Sequence, residues 1–77
     1  MTNAQMYELA RDAIAQAAQV NPNEVEILWV GGVMENRRAV AWCGGALYAV
    51  SHNPVTGETH VDKYEKVTGN APEQPTA

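Results

Sequence analysis

The sequence predicts an α+β domain of two layers, in which one N-terminal amphipathic helix packs on a three-stranded antiparallel β-meander (αβββ). Three observations support this fold class. Apolar residues recur at helical spacing over residues 3–20, the pattern changes to alternation after Glu24, and residues 53–58, NPVTGE, are typical of a hairpin turn. We expect one α+β domain over residues 1–67 and a flexible C-terminal tail over residues 68–77, which has two prolines and no apolar periodicity.

The predicted helix has a marked start and a marked end. Thr2 is a good N-cap, and Gln5 stands three residues later, as in a capping box. Asn21 can adopt the left-handed conformation that ends a helix, and Pro22 cannot continue one. The apolar stripe consists of Met6, Leu9, Ala10, Ala13, Ile14, Ala17 and Val20. Because alanine is small, we expect this stripe to lie close against the sheet.

Three further segments are predicted to be strands. The first follows Glu24 and contains ILWV, the second is a long run over residues 38–52, and the third covers residues 59–67. The first turn is weakly marked, since only Asn36 suits a positive φ there. If Glu35 and Asn36 form a two-residue loop, Trp29 lies opposite Trp42.

This register divides the side chains between two faces. One face would be aromatic and would carry Ile27, Trp29, Val33, Val40, Trp42, Tyr48 and Val50. The other would be small and aliphatic and would carry Leu28, Val30, Ala39, Ala41, Cys43, Leu47 and Ala49. The second set suits the alanine-rich helix, and a single helix covers only one face. The aromatic face is then exposed, which is typical of an interface.

A second register remains open from the sequence alone. A bulge at Gly31-Gly32 or at Gly44-Gly45 would shift the pairing by one residue and bring both tryptophans under the helix as ordinary core. In the exposed-face interpretation, the candidate binding residues are Trp29, Trp42, Tyr48, Val40, Arg37 and Arg38. The two arginines could also grip a carboxylate or a phosphate, although solvated turn charges are commoner.

Composition and charge exclude several function classes. The formal net charge is −4 and only Arg37 and Arg38 are adjacent bases, so direct nucleic-acid binding is disfavoured. The single cysteine, Cys43, excludes an intrachain disulfide and suits a reducing, cytoplasmic setting. We recognise no secretory signal and no membrane span.

No catalytic or cofactor motif is present, and we expect neither an enzyme nor a cofactor. One polar constellation flanks the second turn and consists of His52, Glu58, His60 and Asp62. Two imidazoles and two carboxylates could bind zinc, but their spacing matches no established metal motif. Exposed polar residues beside a turn are the commoner case, so no metal ligand is predicted.

The run of a helix, then a hairpin, then the turn NPVTGETHV faintly resembles PepSY-type domains. Those small α+β modules often have a tyrosine-containing strand, an aspartate–x–x–threonine–glycine turn and a final strand. The matching residues are Tyr48, Thr56, Gly57 and Val61, with Asn53 where an aspartate is usual. The resemblance covers about half of the chain. PepSY-type domains are typically exported, whereas no export signal is recognised in this sequence.

Two function hypotheses follow. The first is a small acidic interaction module of adaptor or inhibitor type, similar in size and charge to phage-encoded inhibitors, which binds a basic protein partner or a second copy of itself. The alternative is a small-ligand or metal-binding domain that uses the region of His52 and His60 and is PepSY-like at best.

Overall fold

The computed structural model describes residues 1–64, which form one helix and a four-stranded antiparallel sheet. The elements are α1 Asn3–Ala18, a 3₁₀ turn Pro22–Glu24, β1 Glu26–Val33, β2 Asn36–Cys43, β3 Ala46–His52 and β4 Thr59–Tyr64. The strands lie in the order β1-β2-β3-β4. The α+β class and the helix-first order are confirmed, but the predicted number of strands is wrong. The predicted tail, 68–77, lies outside the described residues.

The fourth strand arises from a turn at Gly44 and Gly45. Both glycines have positive φ, 59° and 80°, as a two-residue turn of type I′ requires. Cys43 therefore pairs with Ala46, and the run predicted as one strand is divided into β2 and β3. The final predicted strand begins at Thr59 as expected.

Helix α1 begins as predicted and ends earlier than predicted. The Thr2 hydroxyl accepts a hydrogen bond from the Gln5 N–H at 3.1 Å, and the Gln5 side chain accepts one from the Thr2 N–H at 2.8 Å, which completes the capping box. At the other end Gln19, and not Asn21, takes the left-handed conformation, with φ 59° and ψ 49°. Its N–H bonds to Gln16 while the Val20 N–H bonds to Ala15, in a Schellman arrangement that satisfies the last carbonyls.

The core lies between α1 and one side of the sheet, with small residues in contact across the layers. Buried residues of α1 are Met6, Ala10, Ile14 and Ala15, and those of the sheet are Ala39, Ala41, Cys43, Ala46, Tyr48 and Val50. The placement of Tyr48 and Val50 on the aromatic face is therefore wrong. The Gly44-Gly45 turn pairs Tyr48 with Ala41, so that both side chains point to the helix. Leu47 and Ala49 lie on the opposite side for the same reason.

The pairing of β1 with β2 also differs from the predicted register. The loop consists of Met34 and Glu35, so Val33 pairs with Asn36 and Trp29 pairs with Val40. The two tryptophans do not lie opposite one another, because Trp42 pairs with Glu26.

A β-bulge interrupts β1 between Ile27 and Trp29. Leu28 is the extra residue, and its side chain is half exposed. The bulge lets Ile27 and Val30 both pack against the core, although they are three residues apart. The bulge does not bring Trp29 under the helix, because it changes the pairing only of the residues before Trp29, Glu26 and Ile27.

At Gly32 the backbone of β1 lies very close to the backbone of β2. Its φ is +104°, and a Cβ built there would collide with the backbone carbonyl oxygen of Asn36. Gly44 also has positive φ, but a Cβ there meets no atom within 4 Å. A substitution at Gly44 would therefore introduce backbone strain alone, whereas one at Gly32 would introduce strain and a steric collision.

We expect Gly32→Ala to lower the free energy of unfolding by about 2 to 4 kcal/mol, because strain and a backbone collision add. The matched control Gly44→Ala carries the strain alone and is expected to lose about 1 kcal/mol. Urea denaturation followed by circular dichroism measures both. Equal losses in the two variants would contradict the close approach at Gly32.

Candidate interaction surface

The side of the sheet that faces away from α1, here called the open face, carries three rows of cross-strand neighbours. Residues paired across antiparallel strands point to the same side, so the pairings define the rows. The first row is Glu26, Trp42, Leu47 and Tyr64; the second is Trp29, Val40, Ala49 and Asp62; the third is Gly31, Arg38, Ser51 and His60.

The centre of the open face is apolar and its aromatic members are half exposed. Trp29, Trp42 and Tyr64 keep 51%, 41% and 53% of their surface accessible. Val40 and Leu47 lie between them and are partly buried. Within residues 1–64 no segment covers these side chains, so the molecule presents a continuous apolar strip across its four strands.

Gly31 makes room for the indole of Trp29. A Cβ at position 31 would stand 2.5 Å from Cζ2 and 2.8 Å from Cη2 of that indole. The six-membered ring of Trp29 therefore lies over the Gly31 backbone, along its own strand. Glycine is therefore needed at position 31 because any larger residue would occupy the space of the Trp29 indole, and not because the strand has a bulge there.

Polar and charged groups border the apolar strip. Glu26 stands at the β1 corner, Asp62 and His60 lie on β4, and Arg38 lies between Gly31 and Ser51 in the third row. Both signs of charge are present, and the apolar centre separates Glu26 from Arg38. Such a polar rim around an apolar centre is typical of protein interfaces.

The predicted binding residues divide between the two sides of the sheet. Trp29, Trp42, Val40 and Arg38 lie on the open face, as the exposed-face interpretation expects. Tyr48 is buried under α1. Arg37 also points to the helix side, since it pairs with His52, and its guanidinium donates to the Asn3 side chain. Neither Tyr48 nor Arg37 belongs to the open face.

Sequence reasoning missed Leu47, Ala49, Tyr64 and Glu26 as members of the open face. The signal that could have found the first two is the dipeptide Gly44-Gly45, which is a strong two-residue hairpin signal. Had it been taken as a turn, Leu47 would have been placed beside Trp42.

The two histidines at the second turn lie on different sides of the sheet. His52 is buried on the helix side, where its Nδ1 lies 2.7 Å from the Thr59 hydroxyl. His60 is exposed on the open face, opposite Ser51. Among residues 1–64 no three histidine, cysteine or carboxylate side chains are grouped as metal ligands.

We expect Gly31→Ala to displace the Trp29 indole from the strand and to increase its exposure, because the new methyl group needs the space of the ring. In a Trp42→Phe background the fluorescence reports Trp29 alone. A red-shifted emission maximum and stronger iodide quenching are the expected results. Gly44→Ala in the same background should leave both unchanged; an unchanged signal in Gly31→Ala would contradict the contact.

Comparison with known proteins identifies no relative of this chain. No family model, no curated protein and no solved structure matches it. No family model therefore supports the resemblance to PepSY-type domains. Within the described part of the chain, no helix is long and apolar enough to cross a membrane.

Proposed function

We propose that this chain is a non-enzymatic interaction module of adaptor or inhibitor type, which binds a protein partner through its open face. The observation that carries the proposal is the set of three half-exposed aromatic side chains, Trp29, Trp42 and Tyr64, on one side of a sheet whose other side holds the helix. Large aromatic residues at the centre of a surface are the commonest anchors of protein interfaces.

The Trp29 indole supports this proposal because its position is set before binding. It packs along the Gly31 backbone, so less side-chain freedom remains to be lost when a partner covers it. Tryptophan also offers the largest apolar area of any side chain. A partner that covers Trp29 and Trp42 together therefore gains hydrophobic free energy at a small entropic cost.

The size of the open face indicates the class of interaction. Four strands of about seven residues cover roughly 400 Å², from the usual spacing and rise of β-strands. Stable interfaces bury about 800 Å² of each partner. The open face alone suits a transient or moderate contact, and a tighter complex would also include the exposed side chains of Leu28 and Val33 at its margin.

Charge favours a basic partner. The sequence carries nine acidic and five basic residues, and the open face itself contains both signs in the positions of Glu26, Asp62 and Arg38. The acidic excess attracts a basic protein at long range, and the mixed rim then selects its orientation. A reducing, cytoplasmic setting is part of this proposal, in agreement with the single buried thiol of Cys43.

The proposal predicts that Trp42→Ala weakens binding at least tenfold, whereas Tyr7→Ala changes it less than twofold. Tyr7 is a matched control, because it is an aromatic residue on α1 with 42% exposure against 41% for Trp42. A photo-crosslinker at position 40 first captures the partner. The same crosslinker at position 7 is the control, from which that partner should be absent. Calorimetry with the purified partner then measures the affinities.

Sedimentation of the wild-type chain decides whether the partner is a second copy. A dimer that Trp42→Ala dissociates and Tyr7→Ala preserves supports an isologous contact through the open face. Equal effects of both substitutions on every complex found, or crosslinks from position 7 alone, would overturn the proposal. Circular dichroism of each variant confirms that its fold is retained.

A further inference from the structure

A cavity of about 260 Å³ lies away from the open face, at the end of the sheet where two hairpins turn. Its walls come from three separate parts of the chain: Met1 before α1, the β1–β2 loop with Arg37 beyond it, and the β3–β4 loop. The lining residues are Met1, Met34, Glu35, Arg37, Pro54 and Val55. We call this space the tip cavity.

Most of the wall is apolar and strongly exposed. Met34 and Val55 keep 82% and 77% of their surface accessible, the highest values among the large apolar side chains of the described chain. They stand on different loops and line the same cavity, so both can be covered by one ligand. Methionine adapts its shape to a bound group because its side chain is unbranched and polarisable.

The β3–β4 loop holds its side of the cavity in a defined conformation. The Asn53 side-chain oxygen accepts hydrogen bonds from the N–H groups of Val55 and Thr56, at 2.9 and 3.3 Å. The Asn53 carbonyl also accepts from the Gly57 N–H at 2.7 Å. Because both ends of the loop are tied to Asn53, Pro54 and Val55 are positioned before a ligand arrives.

Arg37 gives the cavity its chemical character. The one hydrogen bond that its guanidinium donates within residues 1–64 goes to the neutral side chain of Asn3, and its Nε is buried without a partner. A guanidinium has five donors and a permanent charge. Its charge is thus held at the wall of an apolar space without a hydrogen-bonded anion, and a carboxylate would supply one.

We propose that the tip cavity binds a small molecule with an apolar body and a single carboxylate. The apolar body lies against Met34, Pro54 and Val55, and the carboxylate accepts hydrogen bonds from the Arg37 guanidinium. The volume lies near the lower limit of ligand sites, which restricts the occupant to a short aliphatic or a single-ring acid. Glu35 lines the same cavity and opposes an anion, so it limits the affinity.

Titration of the full chain with octanoate tests this site, with the methyl groups of Met1 and Met34 followed by NMR. We expect saturable shifts of both signals, and no saturable shifts with octanol or octylamine, which lack the carboxylate. Equal binding of octanol or octylamine would overturn the assignment of the carboxylate to Arg37. Shifts that grow linearly with concentration would overturn the site itself.

A matched pair of variants locates the charge. Arg37→Gln is expected to weaken octanoate binding about tenfold or more, the usual effect of losing a charged hydrogen bond. Arg38→Gln removes the same charge from the next residue, on the open face, and is expected to change binding less than twofold. Equal effects of the two substitutions would contradict a specific contact with Arg37.

Two further variants keep the test decisive if Arg37→Gln does not fold. Met34→Gln changes a side chain that is 82% exposed, and it is expected to weaken binding by removing apolar wall. Glu35→Gln removes the opposing charge and should strengthen binding, so an unchanged or weaker affinity would contradict the proposal. Trp42→Ala should bind octanoate normally, which separates this site from the open face.

Discussion

The whole structure depends on one geometric constraint, the contact of a single helix with one side of a four-stranded sheet. A 16-residue helix is about 24 Å long and about 10 Å wide, and it spans only part of a sheet about 19 Å wide. Alanines line both sides of this contact, Ala10 and Ala15 on the helix and Ala39 and Ala41 on the sheet, and small side chains allow the two layers to approach closely. Close contact with small side chains gives a thin core, in which Met6, Ile14 and Val50 are the largest fully buried side chains.

The thin core and the uncovered face of the sheet both follow from the small residues between α1 and the sheet. Alanines occupy both sides of the contact between α1 and the sheet, and Tyr48 is the one aromatic side chain of residues 1–64 that is buried there. Both tryptophans lie on the other side, where Trp29 finds its own packing partner in the Gly31 backbone. The largest apolar side chains of the chain thus remain about half accessible to another molecule.

Local chemistry predicts the elements better than the connections between them. The capping box at Thr2 and the turn after Asn53 follow from side-chain hydrogen bonds and glycine conformations that any sequence of this kind would use. The end of the helix was missed by two residues, because Gln19 adopts a left-handed conformation that its residue type rarely takes. The fourth strand is absent from the prediction because Gly44-Gly45 was placed inside one long strand over residues 38–52, as a site for a bulge and not for a turn.

Part of the open face was predicted correctly because the error in the β1–β2 register is an even number of residues. The β1–β2 pairing differs from the predicted one by two residues at Trp29, and an even shift changes the partners of a side chain but not its face. Trp29, Trp42 and Val40 therefore lie where the two-residue loop placed them. The bulge at Leu28 has no marker in the sequence, since it depends on the tertiary packing of Ile27 and Val30 against the core.

The bulge at Leu28 also affects how a strand from another chain can pair with the edge of this sheet. Strand β1 lies at an edge, and residues 27–34 carry no charge that would repel a second chain. An uninterrupted edge of this kind invites further strands to pair without limit. The extra residue at Leu28 and the turned backbone at Gly32 break the regular series of donors and acceptors, so a straight strand cannot pair along the full length of β1. Backbone geometry therefore opposes lateral pairing along β1, the edge of the sheet whose residues 27–34 carry no charge.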